Sequence, residues 1–330
     1  MLYSIHFLRL IAATAVVVEH SDLLVPWNIH TGTAGVDIFF VISGVVIGLS
    51  TDPEMSIRDF LLRRFIRIFP LYWIATLVWA AYSARFAIAP SVEHIVRSLL
   101  LFPDLSVVWF PVYLPAWTLV FELFFYAVFA ACMLSRRFAR PLCCVVLMLV
   151  AFKFSELGNP NIYFGFATVL LEFVAGVLIS IAVERGWVPA RALGGLLIAA
   201  ALAWFAVGTL HDTTRVIQWG IPAVTLVFGL IAFENARFFR SKPALLGGNA
   251  SYAIYLFHLS LIQAVSLIFK VNDFPVQEHR LIFAAITIPA SLALGALMYL
   301  AVDKPLLRWL RRMLLPRVAD RHLPAAAHSA

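Results

Sequence analysis

Long runs of apolar residues, separated by short polar breaks, dominate the chain. A helix needs about 20 predominantly apolar residues to cross a bilayer, so these runs predict about ten transmembrane helices. They lie near 5–24, 35–50, 65–86, 115–134, 141–154, 163–183, 191–210, 215–234, 247–269 and 280–302. The segment 91–104 is too short and too polar to span, and it is predicted to be an interfacial helix. The expected fold class is an all-α, polytopic integral membrane helix bundle.

Composition points to the same class. Of 330 residues, 62% are hydrophobic and 13% are charged, with a mean hydropathy of +0.92, whereas a soluble domain is about 25% charged. We expect a transmembrane domain over 1–310 and a cytoplasmic basic tail over 311–330. Arg9 interrupts the first apolar run and no small-residue cleavage pattern follows it, so a cleaved signal peptide is not expected. All three cysteines lie in or beside apolar runs and are expected to be packing residues.

The distribution of basic residues predicts the orientation. With the N-terminus in the cytoplasm, the inner segments hold 18 of the 25 Lys and Arg, the outer segments hold six, and Arg9 lies inside helix 1. This asymmetry predicts an N-in, C-in protein. The net charge of +7 is therefore read as a topological signal, and no nucleic-acid partner is expected. The segment DKPLLRWLRRMLLPR is predicted to lie on the cytoplasmic leaflet, with its arginines facing anionic lipids.

Polar residues in the first two apolar runs are candidates for chemistry, because an arginine at mid-membrane costs about 2.5–3.5 kcal/mol. Arg9 and His20 are eleven residues apart, which places them on one helix face roughly 16 Å from each other. Asp37 begins helix 2 at the depth of His20, where a carboxylate could orient the imidazole. Ser43 lies at the centre of helix 2. Alternatives stay open: Arg9 snorkels, His20 is interfacial, and Asp37 is stabilised by its own helix dipole.

An arginine cluster enters helix 3. Arg63, Arg64 and Arg67 follow i,i+3 and i,i+4 spacings, so their guanidinium groups can converge on one anionic group. A positive-inside anchor would have the same composition. Arg67 is already followed by the apolar residues IFPLYW, which favours a position pointing into the protein or the headgroup zone.

Two later runs add polar residues to the predicted interior. Glu122 lies within WTLVFELFFY, and a buried glutamate needs a partner or a proton. The run SYAIYLFHLSLI contributes Tyr255 and His258. Each residue alone could be a satisfied core group. Together they predict a polar interior that runs from a cytoplasmic arginine cluster to an outer histidine and aspartate.

Five motifs, in this order, resemble the membrane-bound acyltransferase family 3, bacterial proteins that acylate surface polysaccharides, lipopolysaccharide and related acceptors. The motifs are Arg9 with His20, GVDIFFVISG at 35–44, RRFIRIFPLYW at 63–73, WTLVFELFFY at 117–126 and SYAIYLFH at 251–258. The chain departs from the family pattern at Asp303, which stands in DKP where relatives often carry Glu before Pro. No additional hydrolase-like domain is expected after the core.

The resemblance implies an O-acyltransferase of the bacterial inner membrane. Its donor would be an acyl-CoA, usually acetyl-CoA, reaching the bundle from the cytoplasm. Its acceptor would be a hydroxyl of a cell-surface carbohydrate or a lipid-linked sugar. The resemblance also implies that the pair Arg9 and His20 is essential, and that Arg64 and Arg67 form the family's RxxR pair.

The chemistry of these side chains predicts a role for each of them, in addition to what the resemblance implies. Arg63, Arg64 and Arg67 are expected to bind CoA phosphates, and Arg9 to hold a phosphate or polarise the thioester carbonyl. His20 is the candidate general base or an acyl carrier.

Glu122 is either a second proton carrier or the counter-ion of Arg9. No metal is expected. The competing hypothesis is a transporter of a lipid-linked sugar or small anion, which would also line a bundle interior with charges. The absence of an internal repeat in the sequence disfavours a transporter.

Overall fold

The structure is a computed structural model that describes residues 2–27, 29–86, 89–102, 110–156, 167–207 and 215–315. Within these ranges all regular secondary structure is helical. The α-helices, in chain order, are α1 Tyr3–Glu19, α2 Ala34–Ser50, α3 Ile57–Phe86, α4 Val92–Leu99, α5 Trp117–Cys132, α6 Ala139–Glu156, α7 Leu170–Glu184, α8 Arg191–Val207, α9 Ile221–Ile231, α10 Lys242–Val271, α11 Arg280–Met298 and α12 Lys304–Leu314.

Five helical stretches in the described part of the chain are long and apolar enough to cross a membrane. They are Thr31–Ser50, Ile57–Phe86, Leu114–Lys153, Lys242–Val271 and Arg280–Leu314. The prediction of an all-helical, multi-pass membrane protein is confirmed. The count of about ten spans and the N-in, C-in orientation stay predictions.

Several helices begin at other residues than the sequence predicted. α3 begins eight residues earlier than expected because Ser56 caps it, its Oγ accepting the backbone N–H of Asp59 at 3.0 Å. The short helix expected within 91–104 is present as α4, capped in the same way by Ser91. The predicted span 163–183 is present as α7, but its first residues fall partly outside the described residues.

Two π-helical turns interrupt otherwise continuous helices, Val216–Gly220 before α9 and Tyr299–Asp303 between α11 and α12. Each is followed by a proline at the second residue of the next helix, Pro222 and Pro305. A proline ring lacks an N–H and clashes with the carbonyl four residues before it, so a wider turn relieves the contact. The last predicted span therefore continues into α12 without a loop.

The helix α1 lies between α2 and α10. Small residues allow the close approach on both sides: a Cβ added to Gly35 of α2 would overlap the carbonyl of Ala12, and one added to Gly248 of α10 would overlap the carbonyl of His6. The helices α1 and α10 run in the same direction, since Arg9 contacts Ser251 near one end while the His20 ring lies against His258 nearer the other. These neighbours place the polar face of α1 inside the bundle.

A glycine contact fixes α2 against α7. A Cβ added to Gly44 would lie 2.9 Å from both the Cα of Gly176 and the backbone nitrogen of Val177. Neither neighbour is the end of a flexible side chain, so the two backbones would have to separate to admit it. The contact sets the position of α2, which carries Phe39 and Ser43 into the interior.

We expect Gly44→Ala to destabilise the protein by about 1–3 kcal/mol, the usual cost of overpacking a close contact. Gly195→Ala is the matched control, because the nearest atom to its added Cβ is 4.0 Å away. Thermal unfolding of both variants in detergent, followed by fluorescence-detected size exclusion, measures the difference. Equal melting temperatures for the two variants would contradict the close contact between α2 and α7.

Candidate active site

A cavity of about 1030 Å³ opens inside the bundle between α1, α2, α3, α5, α10 and α12. Six basic side chains lie close together on its lining and define what we name the basic end: Arg63, Arg64, Arg67, Lys304, Arg308 and Arg311. The remaining polar groups of the lining include Arg9, Ser43, Glu122, Tyr252 and Tyr255. The structure therefore brings the predicted arginine cluster, Arg9 and Glu122 onto one continuous space.

Two arginines of the basic end differ in the bonds they make. Arg67 donates to Asp303 at 3.2 Å and lies over the ring of Tyr252 at 5.2 Å, so its position is fixed by partners. Arg64 makes a 3.3 Å bond to Ser50, and its buried Nε has no hydrogen-bond partner among the described residues. Arg64 thus keeps donors for an anion, whereas part of the Arg67 charge is already neutralised.

The sequence predicts that the arginines of α12 face anionic lipids, and the structure gives basic residues of this helix a second environment. Lys304, Arg308 and Arg311 line the cavity. The π-helical turn before α12 carries the helix back across α3, to which Asp303 is bound through Arg67. Their i,i+4,i+7 spacing, which marks one helix face, was the signal available in the sequence.

The helix α12 also crosses the expected domain boundary. It runs from Lys304 to Leu314 without interruption, so no structural break separates 1–310 from the beginning of the tail. The rest of the predicted tail, 316–330, lies outside the described residues.

Arg9 and Glu122 lie on facing walls of the cavity. The Nε of Arg9 donates to Ser251 at 3.2 Å, and its guanidinium lies 5.7 Å from the centre of the Phe39 ring. Glu122 accepts a 3.1 Å bond from Ser43 and a short bond from the Tyr126 hydroxyl. The two charges are close enough to interact electrostatically, but among the described residues they form no direct ion pair.

Tyr255 and Phe39 bound the cavity on the side away from the basic end. Their ring centres lie 5.9 Å apart, and Tyr255 is held by a 2.9 Å bond from its hydroxyl to the Pro115 carbonyl and a 3.0 Å contact with the Thr118 hydroxyl. Along α10, the cavity lining stops at Tyr255. The ring of His258, one helix turn further, is 5.9 Å from that of Tyr255. Along this helix, Tyr255 is therefore the last lining residue before His258.

Beyond Tyr255 lie His20 and His258, whose ring centres are 5.0 Å apart. His20 is exposed, and its Nδ1 is 2.8 Å from the carbonyl oxygen of Val16. Because a carbonyl only accepts, that nitrogen carries the ring proton and Nε2 is left as a base. His258 is fully buried. The sequence predicted a polar outer end, and the contact between these two histidines is what the fold adds to it.

The predicted contact of Asp37 with His20 is wrong. Asp37 accepts a 2.6 Å ion-pair bond from Arg215, which also lies 5.7 Å above the Trp117 ring. Asp37 faces away from α1, toward α7 and the start of α9, because that is where its buried charge finds a cation. Neither Arg215 nor Glu172 was among the residues predicted for the site, although LLEFVAGV places this glutamate in an apolar run.

The buried residues Asp37 and Glu172 form one cluster with Arg215. Glu172 is 1% exposed and lies against the carboxyl group of Asp37, and its oxygens receive no hydrogen bond from the described residues. Two carboxylates in contact cannot both stay ionised in a buried site. The 2.6 Å ion pair of Asp37 with Arg215 favours Glu172 as the carboxyl group that holds the proton. Among the described residues, no group of three or more His, Cys, Asp or Glu is arranged to hold a metal ion.

The long apolar helices and their shared polar cavity define a membrane protein with a polar interior. The family model described as "Acyltransferase domain" matches residues 2–300, and the chain therefore belongs to acyltransferase family 3. The protein is a membrane acyltransferase.

A curated relative extends the comparison. The chain is 34% identical over 293 residues to the exopolysaccharide production protein ExoZ of Rhizobium meliloti (strain 1021). The match covers 84% of this chain and 90% of that protein. No solved structure matches the chain.

Glu172→Gln is expected to leave thermal stability close to wild type, because an amide matches a protonated carboxyl in shape and can also donate to Asp37. Asp37→Asn removes the charge that neutralises Arg215, and its expected cost is about 3–5 kcal/mol. Thermal unfolding in detergent compares the two variants. An equal loss of stability in both would contradict the assignment of the proton to Glu172.

Proposed function

We propose that the protein transfers an acetyl group from cytoplasmic acetyl-CoA to a hydroxyl of a cell-surface carbohydrate or lipid-linked sugar. The observation that carries the proposal is the cavity that runs from the basic end to Arg9 and Tyr255, with His20 and His258 on the far side of Tyr255. Such a cavity suits a long anionic donor whose reactive end must reach a base. Membership of the acyltransferase family supplies the reaction type.

The basic end supplies the chemistry for binding CoA. CoA carries a diphosphate and a 3'-phosphate, and guanidinium groups bind phosphate through paired hydrogen bonds. We assign Arg63, Arg64 and Arg67 to these phosphates, with Lys304 and Arg308 as further cations on the same lining. The unpaired Nε of Arg64 supports a leading role for this residue.

Arg9 and the aromatic residues around it would receive the thioester. Arg9 is held by Ser251 and Phe39 on the lining, where its guanidinium can stabilise negative charge that develops on the thioester oxygen. The rings of Phe39 and Tyr255 bound this part of the cavity, which favours a short acyl group such as acetyl. Glu122 is hydrogen-bonded to Ser43 and Tyr126 on the same cavity lining. Its negative charge would help to position the guanidinium of Arg9.

His20 would act as the general base. Its Nε2 accepts the proton of the acceptor hydroxyl while the hydroxyl oxygen forms a bond to the acyl carbon. The carbon–sulfur bond then breaks, and the CoA thiolate takes the proton from His20 and leaves as the thiol. The exposure of His20 suits a base that must meet a large acceptor.

The acceptor and the location are proposed on separate grounds. The name of the Rhizobium relative concerns exopolysaccharide production, which supports a polysaccharide or its lipid-linked precursor as the acceptor. The bias of basic residues supports a location in the bacterial inner membrane with the basic end in the cytoplasm, where acetyl-CoA is available.

His20→Ala is expected to lower acetyl transfer by at least about 10²-fold, because the hydroxyl proton loses its acceptor. His279→Ala, at a histidine that is not on the cavity lining, is the control and should keep wild-type activity. The assay follows label from radiolabelled acetyl-CoA into a cell-envelope glycan fraction with purified protein. Substantial residual transfer by His20→Ala would remove His20 as the base.

The same assay tests the alternative function. If the wild-type protein transfers no label from a wide range of donors to a wide range of acceptors, a transporter is favoured, because a transporter leaves both molecules chemically unchanged.

Arg64→Lys is expected to raise the KM for acetyl-CoA about tenfold, or about 1.4 kcal/mol, because lysine keeps the charge but loses the planar fork. Arg136→Lys is the control, since Arg136 is 74% exposed and lies off the cavity lining. Steady-state kinetics against acetyl-CoA concentration measure both variants. An unchanged KM for Arg64→Lys would leave Arg64 as a topological anchor.

A further inference from the structure

His258 carries an unexplained polar atom. Its ring is fully buried, and its Nδ1 lies 2.7 Å from the carbonyl oxygen of Tyr255. The ring proton is therefore on Nδ1, and Nε2 is a lone pair. This Nε2 has no hydrogen-bond partner among the described residues. Leaving a buried acceptor unpaired costs about 1–3 kcal/mol, so a partner that is absent in the resting state is to be expected.

His20 is the neighbour that can supply this partner. The two ring centres lie 5.0 Å apart, with the ring planes inclined at 63°. In both rings the proton is held at Nδ1 by a backbone carbonyl, that of Val16 for His20 and that of Tyr255 for His258. Both Nε2 atoms are then acceptors, and two acceptors cannot bond to each other. A bond between them becomes available only when one Nε2 gains a proton.

We propose that His258 is a positioning residue. Its Nε2 accepts a hydrogen bond from the protonated Nε2 of His20 during the reaction. This inference rests on the proposed function, in which His20 takes a proton from the acceptor hydroxyl. The proton arrives on the Nε2 of His20, and a small rotation of the exposed ring then directs the new N–H to the buried Nε2 of His258. The role predicted for Asp37 is thereby carried by His258, which lies 238 positions from His20 in the sequence.

A neutral partner has a consequence that a carboxylate would not have. His20 must release its proton again to the departing thiolate, and an anionic partner would hold the imidazolium more tightly than an imidazole does. The other titratable groups near the pair are bound elsewhere through at least one atom. Tyr255 donates to the Pro115 carbonyl, Tyr113 donates to the Leu256 carbonyl, and the Oε1 of Glu19 is bound to His30.

Two substitutions of His258 separate its two nitrogens. His258→Asn keeps an N–H near the Nδ1 position, which can still donate to the Tyr255 carbonyl, but it has no acceptor where Nε2 stood. His258→Gln can place an amide oxygen near the Nε2 position and so restores the acceptor. The two variants are close in size and both are neutral, which makes each a control for the other.

The experiment compares wild type, His20→Ala, His258→Asn and His258→Gln in detergent with radiolabelled acetyl-CoA and a cell-envelope glycan fraction. We expect His258→Asn to lower kcat about 10²-fold with an unchanged KM for acetyl-CoA, and His258→Gln to recover to within about tenfold of wild type. Thermal unfolding of all four proteins verifies that they are folded.

The outcomes of the two hypotheses can be distinguished. An inactive wild type, or an active His20→Ala, would contradict the proposed function itself. If wild type is active, His20→Ala is inactive and His258→Asn matches wild type, only the role of His258 fails. An equal loss in His258→Asn and His258→Gln, or a rise in KM without a change in kcat, would assign His258 a structural role instead.

Discussion

A charged side chain on a membrane helix has to face protein or water, and this constraint determines what surrounds α1. Arg9 meets it through the Ser251 hydroxyl on α10 and the Phe39 ring on α2. These contacts require α2 and α10 to lie close to α1, which the glycines on both neighbours permit. The cavity follows from this arrangement, because the polar groups that cannot face lipid are gathered around one interior space.

The polar interior is divided at Tyr255. On one side the cavity carries the basic end and the carboxylate of Glu122, and on the other side lie His20 and His258. Neither histidine is among the residues that line the cavity. The proposed donor site and the proposed base therefore lie on opposite sides of Tyr255.

The arginines differ in whether they already have a carboxylate partner, and this difference determines which of them can bind an anionic substrate. Asp37 neutralises Arg215, and Asp303 neutralises part of the charge of Arg67, which still lines the cavity. Arg64, by contrast, keeps an unpaired Nε on the cavity. A site for an anionic substrate needs this imbalance, because cations that already have carboxylate partners gain less from a phosphate than cations that do not. The proton is assigned to Glu172 for a related reason: Glu172 lies against Asp37, and two carboxyl groups in contact cannot both stay ionised in a buried site.

The sequence by itself determined the helical class, the membrane environment and the residues of the arginine cluster, because these depend on apolar run length and on spacings within single helices. It also identified Arg9, His20, Glu122 and His258 as polar groups out of place in lipid. Only the tertiary structure decided which residues contact each other. Asp37 pairs with a residue 178 positions away and Arg9 with one 242 positions away. Such partnerships depend on how each helix is rotated and which helices are neighbours, and local periodicity carries no information about either.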